Sequence, residues 1–507
     1  MNHLPVMPII LPMFVGALLL LLGRVDMSVR RAISLIATLA QIPIAWMLMS
    51  QASAGIEVYA AGNWAPPFGI VLVVDRLAAL LLMVTAVLAS ASVLYALRGD
   101  DSLGRNYHAL FQFQLMGITG AFLTGDLFNL FVFFEILLIA SYALLLHGAG
   151  SGRVRAGLHY VLLNLFGSAL FLIAVGTLYG LTGTLNMADL ALRVAQAPES
   201  DLPILGAAGM LLLVVFGLKA AMVPLYFWLP RAYSSATPAV AALFAIMTKV
   251  GFYSILRVYP LVFGEQAGAL AHMADAWLWP VGLITIALGA IGALAASTLN
   301  GLVAYLVVLS VGILLASISL GSRDALVGSL YYLVHSTWIS GALFLLAGIL
   351  ARIRGPRFAL RLIAGPRLPS GALLGGLFFI AAISVVGMPP LSGFIGKVLI
   401  LSAAGTGWQA GWLYSSILLS GLVVLVALSR AGSTLFWRND GVPAAGEPLD
   451  PVRLLAAAVL IACSPLMVVF AEAVLSYIEG TAAELMDRSG YVEAVLSLRP
   501  VTRGGAE

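Results

Sequence analysis

The chain has 507 residues, 62% of them hydrophobic and only 9% charged, with a formal net charge of +4. Soluble domains carry about 25% charged residues, so this composition excludes a soluble enzyme or a nucleic-acid-binding domain and implies an all-α polytopic membrane protein. A single cysteine, Cys463, excludes a disulfide framework or a cysteine metal cluster within one chain.

At roughly 20 apolar residues per crossing, the sequence divides into about fourteen spans. The first apolar run, Leu4 to Leu22, lacks a basic leader and a small-residue cleavage site and reads as a retained span. After the second span, IEVYAAGNWAPPFGIVLVVD alternates and carries Gly-Asn and Pro-Pro turn signals, which predicts a short external hairpin. Asp75 stands where a helix N-cap belongs, with Arg76 as its expected interfacial partner. Span five, LFNLFVFFEILLIASYALLL, holds Glu135, the one glutamate placed at the centre of a span. His108, His147 and His159 lie near span ends and need mean no more than interface contacts. After span six, LNMADLALRVAQ predicts a short amphipathic helix on the external surface.

All three lysines of the chain fall inside apolar runs: Lys219 in span seven, Lys249 in span eight and Lys397 in span twelve. A mid-bilayer lysine costs about 2.5–3.5 kcal/mol on insertion scales, so three cost on the order of 8–10. Spans seven and twelve are also interrupted, by Pro224 and Pro230 in one and by Gly387-Met388-Pro389-Pro390 in the other. Proline breaks a helix by removing a donor and crowding the preceding turn. Paired breaks in two halves point to inverted repeats with a transport site between them. The expected organisation is therefore three N-terminal spans with the hairpin (1–105), a first five-helix repeat (106–260), a second (261–440), and a last span with a surface tail (441–507).

His335, in SLYYLVHSTWISGALFLL, is the one histidine well inside a span. The loop RIRGPRFALRLIAGPR is basic, which suits a topology determinant in contact with anionic lipid. Sixteen arginines fall in gaps on one side of the chain, against Arg193, Arg257 and Arg323 on the other. Positive charge marks the cytoplasmic side, so both termini are expected outside the cytoplasm.

Burial penalises the charged form of both a carboxylate and an amine. A Glu135 and lysine pair in a dry bundle therefore reads in two ways: a fixed structural ion pair, or a pair whose charge state switches at modest cost, as a proton relay requires. Three lysines with one central acid favour the relay, since fixed pairing needs three acids. His335, with an unperturbed value of about 6.5, fits either a satisfied helix histidine or a relay member. No residue pattern suggests a metal site, a nucleophile with its base or a phosphate loop, so no cofactor is expected.

The stretches LFNLFVFFEILLIASYALLLHG, FGLKAAMVPLYFWLPRAYSSATPAVAALFAIMTKVGFY, LYYLVHSTWISGALFLLAG and GMPPLSGFIGKVLI together resemble the antiporter-like membrane subunit family. That family is shared by the proton-pumping subunits of respiratory complex I and the large subunits of Mrp (Pha) multisubunit cation/proton antiporters; the wording is most similar to the D-type antiporter branch. The resemblance implies that Glu135 and Lys219 form a pump pair, that Lys249 is a connecting lysine, His335 a relay and Lys397 the terminal lysine. It further implies a transporter subunit rather than an enzyme, partnered by other antiporter subunits in a bacterial inner membrane, exchanging H+ for Na+ or K+. The runner-up is a membrane subunit of complex I or a related hydrogenase. One departure stands out: span ten, VAYLVVLSVGILL, has no ionisable group beyond Tyr305, and Ser340 stands where some relatives have lysine. The link from Lys249 to Lys397 would then depend on His335, Ser310, Tyr305 and water.

Overall fold

The structure, a computed structural model, describes residues 2–498. Its helices begin α1 (Met7–Leu21), α2 (Met27–Ala54), α3 (Arg76–Ala96), α4 (Tyr107–Leu123), α5 (Leu127–Leu146), α6 (Ser151–Thr182) and α7 (Met187–Ala195). They continue with α8 (Leu202–Ala220), α9 (Trp228–Ser235), α10 (Pro238–Phe244), α11 (Met247–Val262), α12 (Asp275–Ala295), α13 (Leu299–Ile318) and α14 (Arg323–Arg354). The last are α15 (Gly371–Val386), α16 (Ser392–Ala403), α17 (Trp408–Gly432), α18 (Pro451–Val469), α19 (Ala471–Met486) and α20 (Arg488–Leu496). Among the described residues twelve helical segments are long and apolar enough to cross a membrane. The expected fourteen include two more: α4, with 17 residues, and the broken pair α15 and α16, with 16 and 12.

Short polar side chains start many of these helices by accepting the first orphan N–H groups: Asp75 from Ala78, Asp126 from Asn129, Thr298 from Gly301, Ser322 from Ala325. Burial then sorts them. α10, α11 and α14 are enclosed nearly all round, whereas α1, α2, α6, α17 and α18 leave most of their apolar surface outward. In lipid that outward surface costs nothing, and association rests on close packing and internal hydrogen bonds.

The loops separate into two faces. On one, the hairpin β1 (Glu57–Ala60) and β2 (Val71–Val74) pairs antiparallel as expected. Leu72 bridges Thr124, and Asp126 bridges Asn186. α20 anchors here through Arg488, which donates to the carbonyls of Ala191 and Leu261 at 2.6 and 2.9 Å. On the other face, Arg31 binds Asp101, Arg98 binds Asp450, and Arg352 bridges Asp100 and Glu447. The loop after α14 forms β3 (Gly365–Arg367), parallel to β4 (Asn439–Pro443). A correspondence between the faces follows. The cap residue of α5, Asp126, bridges the loop after α6, and the cap residue of α13, Thr298, bridges the loop after α14 at Arg361 on the opposite face.

Several local expectations are corrected. Residues 187–195 are helical, but α7 does not lie on an open surface: Met187, Ala188, Leu190, Ala191 and Val194 are buried. Asp75 is the N-cap of α3, but its ion partner is Arg257, which lies within α11 rather than in a gap. Arg76 instead meets Glu484. The basic loop is partly consumed internally, since Arg354 donates to the carbonyls of Ala359, Arg361 and Ile363. The tail packs back on the bundle as α19 and α20; residues 499–507 lie outside the described residues.

Candidate functional site

The five ionisable residues singled out above all lie within helices, and four of them are buried: Lys219 at 5% exposure, Lys249 at 0%, His335 at 2% and Lys397 at 7%. Glu135 is intermediate. Among the described residues no lysine takes part in an ion pair; each ammonium is held by neutral oxygens.

Glu135 on α5 and Lys219 on α8 meet across α6. Ser168 Oγ donates to Glu135 Oε1, while Lys219 Nζ donates to Asn164 Oδ1 at 3.2 Å. Asn164 and Ser168 are one helical turn apart, so a single face of α6 presents both. Asn164 is itself fixed by donating Nδ2 to Tyr160 O at 2.9 Å. The Lys219 ammonium also lies 5.8 Å from the Phe134 ring centroid. The pair is thus linked through two neutral side chains, with no direct ion pair between the expected partners.

Lys219 stands at the end of α8, where the chain turns: Ala221 has a left-handed φ of 62°, and α9 resumes at Trp228. Trp228 Nε1 donates to Leu218 O at 3.0 Å, satisfying a carbonyl the break frees. A Cβ on Gly251 would overlap the α8 backbone at Lys219 and Ala220. Only glycine permits that approach, which sets α11 directly against the break, two residues beyond Lys249. Lys249 Nζ donates to Ser310 Oγ at 3.2 Å, and Ser310 donates to Val307 O at 2.7 Å. Of the hydroxyls expected to link Lys249 to Lys397, Ser310 meets Lys249. Tyr305 does not: it lines a recess on the arginine-rich face with Arg231, Ser234 and Thr298.

The second break is built differently. α15 ends at Gly387, φ 83°, and Lys397 reaches back from α16 to donate to Val386 O at 2.6 Å and Val385 O at 3.2 Å. His335 on α14 makes no hydrogen bond to Lys397; its Nδ1 is 2.8 Å from Ser392 Oγ at the start of α16. Ser392 meets Ser464 on α18 at 2.8 Å, and Ser464 meets Ser384 on α15 at 2.6 Å. Hydroxyls both donate and accept, so this chain can pass hydrogen-bond polarity between His335 and both halves of the broken segment. A Cβ on Gly393 would strike His335 Nε2 and the Ser384 carbonyl, so this contact also depends on glycine. Among the described residues no direct hydrogen bond joins Lys219 to Lys249, Ser310 to His335, or His335 to Lys397, so these groups are not connected into one hydrogen-bonded chain.

Sequence reasoning missed Asn164, Ser168, Ser384, Ser392 and Ser464. Asn164 and Ser168 left a usable signal, two polar residues at i and i+4 in an apolar run. Ser464 adjoins Cys463, the lone cysteine of the chain. The candidate residues contain no cluster of ligands for a metal, and no such cluster occurs among the described residues.

A model of the family described as NADH:quinone oxidoreductase/Mrp antiporter, TM, matches residues 124–426. The chain is 41% identical to the D-type subunit of a probable K(+)/H(+) antiporter from Rhizobium meliloti, covering 98% of each chain. It is 39% identical to the D-type subunit of a Na(+)/H(+) antiporter from Bacillus subtilis, covering 98% of this chain and 100% of that one. Its fold is similar to a chain of the Mrp complex from Dietzia sp., with a TM-score of 0.86, 26% identity, and 98% and 100% of the two chains covered. It is also similar to a chain of respiratory complex I from Thermus thermophilus, with a TM-score of 0.79, 26% identity, and coverage of 96% and 99%.

Proposed function

We propose, from the premise that this chain belongs to the NADH:quinone oxidoreductase/Mrp antiporter membrane family, that it is the D-type subunit of a multisubunit cation/proton antiporter. It is a transporter subunit rather than an enzyme, and a multi-pass membrane protein that works with other antiporter subunits. Relatives named as K(+)/H(+) and Na(+)/H(+) antiporter subunits stand at nearly equal identity, so the exchanged ion is H+ against Na+ or K+. The complex I type of subunit shares the fold, but the named relatives, alike over almost the whole length, favour the antiporter.

Glu135, Lys219, Lys249, His335 and Lys397 form its proton relay. The observation that carries this is the neutral company of all three ammonium groups. A lysine locked to a carboxylate resists losing its proton, whereas one held by an amide, a hydroxyl or carbonyls can give it up when the local field changes. Protonation of Glu135 removes a negative charge beside Lys219. At about 8 Å and an effective dielectric of about 20, one charge acts on the next by roughly 2 kcal/mol, enough to change a proton affinity more than tenfold. Ser168 and Asn164 set the separation of Glu135 and Lys219, and Ser392 with Ser384 and Ser464 continue the path from His335. The fourteen crossings, including α4 and the broken pair α15 and α16, comprise three N-terminal spans, two inverted five-helix units and a final span; the crossed bridges at Asp126 and Thr298 support that inversion. The arginine-rich face is cytoplasmic, in a bacterial inner membrane, and both termini lie on the other side.

Vesicles bearing the whole assembly, driven by a pH gradient with Na+ or K+ separately, test this. Lys219→Ala and Glu135→Ala should each abolish exchange while the assembly persists; full flux in either variant would refute the relay.

A further inference from the structure

On the arginine-rich face a cavity of about 750 Å³ opens between the α1–α2 turn and the start of α4. Arg24, Arg30 and Arg105 line it, and no carboxylate does. None of the three is in an ion pair among the described residues, and Arg30 Nε is buried with no hydrogen-bond partner. His108, 4% exposed, also lines the cavity. Its Nε2 is 3.0 Å from Asp101, and its Nδ1 has no partner. Asp101 is already satisfied: burial acts to raise its carboxyl, but the hydrogen bonds of His108 and Arg31 hold it at about 2. Asp26, whose charge acts on Arg30 through space, is turned to the cap of α2 at Ser28 and does not line the cavity, so no carboxylate is hydrogen-bonded to the three arginines among the described residues. α4 starts at the same place with no side-chain cap on its first N–H groups, which adds the positive end of a 17-residue helix.

Apolar residues form the inner wall, where Leu19 and Ala109 belong to a small cluster with Val15 and Ala37. Beside it α1 exposes Phe14, Leu20 and Leu21 outward. Cationic rim, a buried imidazole with its Nδ1 unpartnered, and apolar wall together match a phosphate joined to acyl chains.

We propose that this cleft is a binding site for the phosphate of an acidic phospholipid, held by Arg24, Arg30, Arg105 and the His108 imidazole. The site is separate from the relay residues, and its occupancy does not depend on the direction of exchange. A bound phosphodiester completes the charge balance of the α1–α2 turn and sits one residue from the Asp101 network that ties α2 to α4.

Native mass spectrometry of the whole assembly, titrated with phosphatidylglycerol against phosphatidylcholine, tests the assignment. The Arg30→Gln/Arg105→Gln variant should lose affinity for phosphatidylglycerol by about thirtyfold, the effect of two arginines at about 1 kcal/mol each. Arg30→Lys/Arg105→Lys should retain most of it. Ser102→Trp, at an exposed position on the cleft, should displace the lipid without removing charge and serves if the double variant fails to assemble. Arg357→Gln/Arg361→Gln, on the exposed basic loop, should change nothing. Equal phosphatidylglycerol binding in wild type and the cleft variants would overturn the proposal, as would equal loss in the loop variant. Displacement of the lipid by millimolar inorganic phosphate would mean a free-phosphate site and overturn the lipid assignment.

Discussion

Lys397 donates a 2.6 Å hydrogen bond to the carbonyl oxygen of Val386, the last residue of α15. The ammonium therefore supplies positive charge to the open C-terminal end of a broken helix, where a cation is favoured, in addition to the relay role proposed for it. The two roles can be separated by substitution.

Lys397→Ala removes both, and a hydrogen bond to a charged group contributes about 1.5–3 kcal/mol. We expect lost exchange together with a lower melting temperature of the assembly. Lys397→Arg keeps the cap and should restore the melting temperature while leaving exchange impaired, because guanidinium does not release its proton in this range. A variant that melts normally as Lys397→Ala would show that the cap contributes nothing.

Asn164 and Ser168 bond Lys219 and Glu135 respectively, and in the proposed relay they set the coupling of that pair. Ser168→Ala should slow exchange by on the order of tenfold, as loss of about 1.5 kcal/mol predicts. Asn164→Asp should be worse, since a carboxylate placed 3.2 Å from Lys219 Nζ makes the fixed ion pair that the native site avoids. Proton flux in vesicles, normalised to assembled complex, measures both. Exchange at the wild-type rate in Asn164→Asp would remove neutral partnering as the basis of the relay.

The Asp75–Arg257 pair is almost fully buried, with side-chain exposures of 2% and 5%. Breaking such a pair on one side leaves an uncompensated charge and costs about 3–5 kcal/mol. Arg257→Gln should thus destabilise strongly, and Asp75→Asn/Arg257→Gln much less, since asparagine can still cap α3 at Ala78. Thermal unfolding of the assembly compares the two; equal loss in single and double variants would contradict the pairing.

Glu484 on α19 offers a pH test. Burial first, then the charge of Asp75, push its carboxyl up from 4.5 to about 7, against the Arg76 backbone N–H and the charges of Arg257 and Arg76. Tyr477 and Tyr491 complete its surroundings. Between these values the docked tail holds a proton that a solvated tail does not, so docking strengthens as pH falls from about 7 toward 4.5. Above about 7 both states are ionised and the docked one bears the desolvation cost. Hydrogen exchange in residues 471–496, corrected for intrinsic rates, should be faster at pH 8 than at pH 6, and Glu484→Gln should flatten the difference. No pH dependence in the wild type would sink the idea.

Composition and spacing alone determined that this chain is a membrane bundle, where most of its helices lie, which side bears the arginines, and that Glu135, Lys219, Lys249, His335 and Lys397 are the unusual charges. Those features survive in one dimension because each is a departure from an apolar background: a lysine or a proline in lipid is costly wherever the helix turns. What held the charges was decided only by tertiary structure. Asn164 and Ser168 gain meaning when α6 passes between α5 and α8, and the three serines meet from α15, α16 and α18 across 80 residues of chain. Arg257 reads as a loop charge until α11 brings it to Asp75. Serine, asparagine and glycine are common in membrane helices, so their contribution depends on which backbone comes within a hydrogen bond of them, and that is fixed by packing rather than by residue type.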